Sequence, residues 1–419
     1  MILLAILLGL LLAAAAGVQL MISKRFQEHF DLLEPVTMPL PEQELALVVI
    51  CVRGCDPSLE SCLRGVLNQD YANYRVQMIV DHRSDQAWDF VQEIKSKYDD
   101  RNILTILEMQ EPPDTCSLKC SGIVQALHNI DERTKYVAFL DADVAPHPQW
   151  LAELTGPLQD PEIGGVTGNQ WFEPAAGSGI GSLLRSTWNA GALVPTIFFA
   201  NPWAGSFAMR LQDIHDSGLE EIWAQSVVDD GAIKKAINDL GLRVEFAPSL
   251  IMTNRESCGF RFTNRWVTRM LTWSRLYEPT FYLSIIHAVF SNGVMLANFG
   301  VLLLALLSGS FVTALISATA LIASGWMCAR SYELTRQCAI KSCKLRGQTL
   351  APLTKQRFWG VVLSVAMTHL IYGVSCLEAI FVHQIKWREV TYEVSSHNQI
   401  KRLDYAPYLP KTRRRDVSI

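Results

Sequence analysis

The sequence predicts an α/β domain built on a parallel sheet and joined to long helices that cross a membrane. Three observations carry this expectation. Between about residues 45 and 278, short apolar runs alternate with stretches of helical periodicity, the pattern of βαβ units. Two of those runs end in acid, at Asp81 and Asp141, and so deliver carboxylates to one edge of the sheet. Outside those limits the chain turns almost wholly apolar, at 1–22 and again from about 281.

Within the α/β region, Leu45–Ile50 reads as the first strand and Pro57–Asn68 as a helix with apolar residues on one face. Val76–Val80 is a second strand ending at Asp81, Trp88–Tyr98 a helix, and Ile103–Leu107 a third strand. Ser121–Asn129 is helical and leads into Tyr136-Val137-Ala138-Phe139-Leu140-Asp141-Ala142-Asp143. The unbroken apolar run there reads as a strand buried on both faces, as in a parallel sheet. Two carboxylates one residue apart on the turn leaving it, Asp141 and Asp143, can share a hard divalent cation, Mg2+ or Mn2+, with a diphosphate. A simple strand-ending turn gives the same residues.

The chain has 419 residues and 49% hydrophobic content, too long for one ordinary domain and locally too apolar for a soluble one. A net charge of −4 gives no reason to expect a nucleic-acid partner. Ten cysteines are too few for a disulfide scaffold, and the C-x3-C spacing of Cys51/Cys55 and Cys116/Cys120 does not match zinc patterns. They read as reduced thiols in a cytosol-facing protein.

Residues 1–23 are predicted as an N-terminal transmembrane helix and 24–44 as a tether, proline- and acid-rich from 31. Positive charge at Lys24 and Arg25, after the apolar run, places the following chain in the cytoplasm. The α/β domain occupies 45–278, interfacial and transmembrane helices 279–383, and a basic cytosolic tail 384–419, with Arg413-Arg414-Arg415 near its end. Within 279–383, Phe281–Phe290 fits the membrane interface, 291–308 and 311–328 are spans joined at Ser308-Gly309-Ser310, 330–357 is a polar loop, and 358–383 a further span. Were all three late runs to cross, the basic tail would lie outside, against the charge rule. Either one run is re-entrant or the 330–357 loop is external.

Three further clusters bear on chemistry. Asp229-Asp230 precedes a helical run, Ala232–Leu240, so either acid serves as an N-cap or Asp230 serves as a general base. Arg261, Arg265 and Arg269, at i, i+4 and i+8 and interleaved with Trp266 and Trp273, form a basic stripe that suits lipid headgroups or a diphosphate. Lys119, ahead of the 121–129 helix, suits a phosphate or plain solvent. Intramembrane His369 and Glu378 raise the alternative of a transporter, although Glu378 is near a segment end and can snorkel.

In this order the clusters resemble membrane-bound GT-A glycosyltransferases of family 2 and, more closely, the ceramide glucosyltransferase branch, family 21. Val52-Arg53-Gly54-Cys55-Asp56-Pro57-Ser58-Leu59 is similar to that branch's first strand–loop, and Asp81-His82 to its first Asp. Lys119 resembles the lysine before its second helix, Asp141-Ala142-Asp143 its D-x-D, and Asp229-Asp230 its E-D pair. Arg269-Met270-Leu271-Thr272-Trp273 resembles its R-x-x-R-W with Thr272 in place of the second Arg, a charge that Arg265 one turn upstream can supply. Trp387-Arg388-Glu389 looks like a W-R-G element of related enzymes with Glu389 in place of Gly.

The resemblance implies a GT-A, Rossmann-like fold and inverting transfer of a sugar, glucose in that branch, from a UDP-sugar to the hydroxyl of a membrane lipid such as ceramide. It assigns Asp230, Arg269 and Trp273 to catalysis, Arg53, Asp81, Lys119 and Asp141 to the nucleotide sugar, and Asp141 and Asp143 to the metal. The stretch Gly191–Ala208 would line an acceptor entrance or belong to ordinary core. The alternatives are a processive polysaccharide synthase, which usually has more membrane helices and an intact Q-x-x-R-W, and an inactive membrane scaffold, against which the retained acids argue.

Overall fold

A computed structural model of the chain describes residues 1–36, 44–175 and 177–408. In chain order its elements are α1 (Ile2–Phe30), β1 (Ala46–Val52), α2 (Leu59–Leu67), β2 (Tyr74–Val80), α3 (Gln86–Tyr98) and β3 (Leu104–Glu108). There follow α4 (Leu118–His128), β4 (Tyr136–Leu140), α5 (Trp150–Thr155), β5 (Ile163–Phe172), α6 (Ile180–Phe198), β6 (Ser206–Arg210), α7 (Leu211–Asp216) and α8 (Leu219–Trp223). The chain continues through α9 (Ile233–Asp239), β7 (Arg243–Asn254), α10 (Phe260–Tyr277), α11 (Phe281–Leu307), α12 (Phe311–Leu345) and α13 (Lys355–Phe381). It closes with β8 (Gln384–Trp387), β9 (Val390–Ser396) and β10 (Gln399–Arg402). Two compact units result. A sheet unit gathers residues 34–170, 199–254 and 382–419, and a helical unit gathers 1–33, 171–198 and 255–381. Residues 37–43 of the expected tether and the run Arg413-Arg414-Arg415 lie outside the described residues.

The sheet unit is built on seven strands in the order β3-β2-β1-β4-β6-β5-β7. From β3 to β4 the strands are parallel, with Val52 opposite Val80 and Val49 opposite Phe139. β4 is buried along its whole length, as a strand covered on both faces must be. Val48, Ile50, Leu63, Met78, Trp150 and Leu250 are core residues, each stabilising the fold by about 1.5–3 kcal/mol through burial. β6 runs antiparallel to β4, and β5 antiparallel to β6, so the sheet is mixed though parallel-dominated.

Local chemistry sets the helix starts. Asp85 caps α3 by accepting from the Ala87 amide at 2.9 Å. Ser117 caps α4 by accepting from the Cys120 amide at 3.2 Å, so that helix begins ahead of the expected Ser121. Lys119 therefore sits in the first turn of α4 instead of preceding the helix. Residues 384–402, expected only as a basic tail, form a three-stranded antiparallel sheet. Its first turn, Arg388-Glu389, has φ of 50° and 64°, the geometry of a two-residue hairpin that favours Gly. All ten cysteines are free.

In the helical unit, α11 and α12 form a hairpin turned at Ser308-Gly309-Ser310, with Gly309 at φ +70°. α1 runs parallel to α12. Gln19 meets Cys328 at 3.7 Å, and the Asp31 carbonyl accepts from Lys341 at 3.0 Å. Four helices, α1, α11, α12 and α13, are long and apolar enough to cross a membrane. Two expectations are corrected here. Phe281–Phe290 is the first part of a continuous α11, and the polar stretch from 330 is helical as far as Leu345.

Those polar residues are held in a helix by buried partners. The Glu173 carboxylate accepts from Arg336 at 2.8 Å, Arg357 at 2.6 Å and the Trp171 indole at 2.8 Å. Burial alone would raise the Glu173 pKa, but these partners outweigh it and hold the carboxyl below its usual range. Glu173→Ala leaves Arg336 buried and unpaired, and stability should fall by about 3–5 kcal/mol. Thermal unfolding in detergent reads this directly, and an unmoved midpoint would show that the pair holds nothing together.

Candidate active site

The site grows from the carboxyl edge of the parallel strands. Because Val52 and Val80 are register partners, Arg53 and Asp81 leave β1 and β2 side by side, and they form a buried ion pair. β4 delivers Asp141, whose amide donates to the Gly205 carbonyl at 3.1 Å. A Cβ at Gly205 would lie 2.4 Å from Asp141 Oδ2 and 2.2 Å from the Trp203 ring, so only Gly allows the β6 entry to approach this close. Asp229 and Asp230 lie in the turn between α8 and α9. Ala232 is the residue flanking α9, with no side-chain cap, so neither Asp caps that helix. The Asp229 carbonyl instead accepts from the Trp223 indole at 2.7 Å.

Lys119 joins the two acidic segments. Its Nζ lies 2.6 Å from Asp141 Oδ1 and 2.7 Å from Asp229 Oδ2. Burial by itself would depress the Lys119 pKa, but the two carboxylates more than offset this and keep it charged. Asp229 is pushed up by its burial, with Lys119 opposing. Asp230 is partly exposed, yet protein packed about its carboxyl and the neighbouring Asp229 charge raise it to about 8. Asp143 is raised to about 7, chiefly by burial and then by the charges of Asp141 and Asp56. Asp143 Oδ2 accepts long hydrogen bonds from Gln170 at 3.4 Å and Asn254 at 3.3 Å, while its buried Oδ1 has no hydrogen-bond partner.

A buried carboxylate oxygen without a hydrogen-bond partner, two residues from Asp141, suits coordination of a cation. The residues therefore fit a divalent metal held by Asp143 with Asp141. No group of three or more His, Cys, Asp or Glu side chains gathers among the described residues, so the remaining ligands would be diphosphate oxygens and water.

Asp81 stands apart from the Lys119 cluster. Its carboxylate is enclosed by Arg53 and by the Tyr405 hydroxyl, which donates at 3.1 Å. Arg53 in turn donates to the carbonyls of Arg388 at 2.8 Å and Ala406 at 2.9 Å, and its guanidinium is 5.6 Å from the rings of both Tyr405 and Tyr408. Arg388 makes a bidentate pair with Asp56 at 3.0 and 2.7 Å.

Arg269 and Trp273 belong to the helical unit, on α10. Thr272 is buried there and donates to the Thr268 carbonyl at 2.8 Å. Arg265 is exposed, whereas Trp266 packs edge-on against Phe172 and Trp188 at 5.2 and 5.1 Å. Of the Gly191–Ala208 stretch, Leu193, Val194 and Ile197 are buried in α6, Phe198 and Phe199 are exposed, and Trp203 lies beside Asp141. Glu378, which with His369 raised the transporter alternative, accepts from Thr268 at 2.8 Å. Sequence reasoning missed Gln170, near the end of β5, and Asn254, the last residue of β7, although each is a polar residue in a long buried strand. Tyr405 and Tyr408 carry no local signal.

A parallel-dominated sheet with acids along its carboxyl edge is the architecture of GT-A glycosyltransferases. The chain belongs to glycosyl transferase family 21, whose family description matches residues 8–400, and is a nucleotide-sugar-dependent glycosyltransferase. Among curated proteins none matches. Among solved structures it is similar to the mannosyltransferase PcManGT from Pyrobaculum calidifontis in complex with GDP-Man and Mn2+, at 15% identity and TM-score 0.47, covering 90% of this chain and 98% of that one. It is also similar to glucosyl-3-phosphoglycerate synthase from Mycobacterium tuberculosis in complex with Mn2+ and UDP-glucose, at 14% identity and TM-score 0.36, covering 56% of this chain and 79% of that one.

Lys119→Met should destabilise the fold by about 1–3 kcal/mol, because it leaves the buried Asp229 carboxylate without its cation and facing the half-buried Asp141. Adding Asp229→Asn should recover part of that loss, with a coupling of about 0.5–3 kcal/mol. A double-mutant cycle on thermal midpoints measures it, and strict additivity would mean that the two side chains do not interact.

Proposed function

We propose that this chain transfers a sugar, most simply glucose, from a UDP-sugar to the hydroxyl of a membrane lipid such as ceramide, with inversion at the anomeric carbon. The observation that carries this reading is the Lys119 bridge between Asp141 and Asp229, with two carboxyls of raised pKa, Asp143 and Asp230, at its ends. Glycosyl transfer passes through an oxocarbenium-like state, and an inverting enzyme needs a base opposite the leaving group. The leaving group here is a diphosphate, and a divalent cation held by Asp143 and Asp141 would neutralise its growing charge.

Asp230 is the base in this reading. Burial and Asp229 set its carboxyl near the working pH, where a base is most effective. Lys119 holds Asp141 and Asp229 in fixed positions and adds positive charge where phosphate oxygens would lie. Arg53 and Asp81 are assigned to the nucleoside, and Arg269 and Trp273 to the departing diphosphate, on the family resemblance. The four long apolar helices keep the enzyme where a lipid alcohol is available. Lys24 and Arg25, after the first of them, support a cytoplasmic catalytic unit.

Membranes incubated with a panel of labelled nucleotide sugars should yield labelled lipid from the UDP-sugar and no polymer. Polymer would replace this reading with a processive synthase. Asp143→Ala should abolish transfer together with metal-dependent UDP binding. Unchanged turnover would remove the metal site from Asp143.

Asp230→Asn should lower kcat by about 10²–10⁴-fold while donor binding stays near normal. Because the base acts deprotonated, kcat/KM should climb about tenfold per pH unit below about 8 and level off above it. A limb of the same midpoint in Asp230→Asn would assign the titration elsewhere.

A further inference from the structure

The four apolar helices pose a problem of parity. Residues 34–170 and 382–402 belong to one compact unit, tied by Arg388 to Asp56 and by Arg402 to the Pro112 carbonyl at 2.8 Å. Both stretches therefore lie on one side of the membrane. Between them the chain must cross an even number of times, yet α11, α12 and α13 are each long enough to span.

The contacts of α13 show which helix departs. Its N-terminal half meets α12 only low on that helix. Arg357 donates to the Tyr332 hydroxyl at 2.9 Å, Val365 shares a cluster with Cys328 and Ala16 of α1, and Gly325 packs on Val362. Its C-terminal half meets α11 only near the start of that helix. Tyr372 donates to the Ser284 carbonyl at 2.9 Å, and Gly373 packs on Asn292.

Depth can be counted from the hairpin turn at Ser308-Gly309-Ser310, at about 1.5 Å per residue. Residues 325–332 of α12 lie about 22–33 Å below the turn, and residues 284–292 of α11 about 24–36 Å below it. These are the same layer. The two halves of α13 thus lie at one depth, where a membrane core of about 30 Å would end. Arg330, the first charged residue of α12, marks the same level.

A helix of 27 residues in a spanning orientation would instead traverse about 40 Å of depth. α13 also packs along two helices that are not membrane spans. Ser364 meets Thr187 of α6 at 3.4 Å, and Ser375 and the Ile380 carbonyl meet Thr268 and Arg275 of α10 at 2.9 Å each. Its inward side carries Ser364, Thr368 and Ser375 among buried Val361, Val362, Val365 and Ile371, while Trp359, Leu363, Met367, Val374, Leu377 and Phe381 are exposed on the other side.

We propose that α13 does not cross the bilayer but lies along its inner boundary, with this exposed apolar face set in the acyl chains of the inner leaflet. The protein then crosses three times, through α1, α11 and α12, with its amino terminus outside and the β8–β10 sheet on the side of the catalytic unit. This rests on the reading of the chain as a membrane protein and is independent of which sugar or acceptor it uses. The positive-inside problem of the basic C-terminal segment also disappears.

Two measurements on the full-length chain test it. Glycosylation-acceptor tags placed in turn in the 346–354 loop and at the C-terminus should both stay unmodified, while a tag at 308–310 is modified. Modification of either of the first two would overturn the proposal. Nitroxide labels at Leu363→Cys and Leu377→Cys, read by depth-dependent relaxation in vesicles, should report equal depth. A spanning α13 would separate them by about 21 Å and would overturn it. Loss of the protein from the membrane fraction would sink the membrane reading itself, a distinct result.

Discussion

Everything in the catalytic unit depends on one buried cation, Lys119, held between Asp141 and Asp229. Two carboxylates from distant parts of the chain cannot approach in a partly desolvated cleft without a charge between them. With Lys119 there, β4, the first turn of α4 and the α8–α9 turn become one object. The adjacent acids are then left less compensated. Asp143 and Asp230 titrate upward, chiefly through burial and then through the charges of Asp141 and Asp229 beside them. One group suited to binding a divalent metal and one suited to taking a proton follow from the same arrangement.

The second constraint is closure of the donor edge by the C-terminal segment. Arg53 uses its donors on Asp81, Arg388 and Ala406, and its faces on Tyr405 and Tyr408. The strand–loop after β1 is thereby tied to residues more than three hundred positions later. The two-residue β8–β9 turn, with Arg388 and Glu389 at positive φ, projects Arg388 onto Asp56. A Gly at 389, as in related enzymes, would relieve that backbone of about 1–2 kcal/mol. A C-terminal sheet so engaged must share a compartment with the rest of its unit, the constraint on which the proposed topology of α13 rests.

Much was legible in the sequence itself. The alternation of apolar runs and helical stretches gave β1 to β4 and α2 to α4 within a few residues, because a doubly covered strand and an amphipathic helix differ in period. Asp81, Asp141, Asp143, Asp229 and Asp230 stood out because acids rarely close apolar strands or cluster without purpose. The long apolar runs gave the membrane helices by length alone.

What the sequence left open was whatever depends on a partner far along the chain. Whether Asp229-Asp230 caps α9 or faces the site is a local ambiguity that the Lys119 pair settles in space. The polar stretch from 330 to 345 buries Arg336 among Tyr332, Cys338 and Ala339, and the distant Glu173 carboxylate is what compensates that charge. Hydropathy makes α13 long and apolar enough to span, but composition measures how apolar a helix is and not the direction in which it runs. Local pattern, set by hydrophobic period and backbone preference, determined the elements and the candidate acids. Long-range pairing of charges and the packing of one helix across others decided which acids meet and which polar residues are buried.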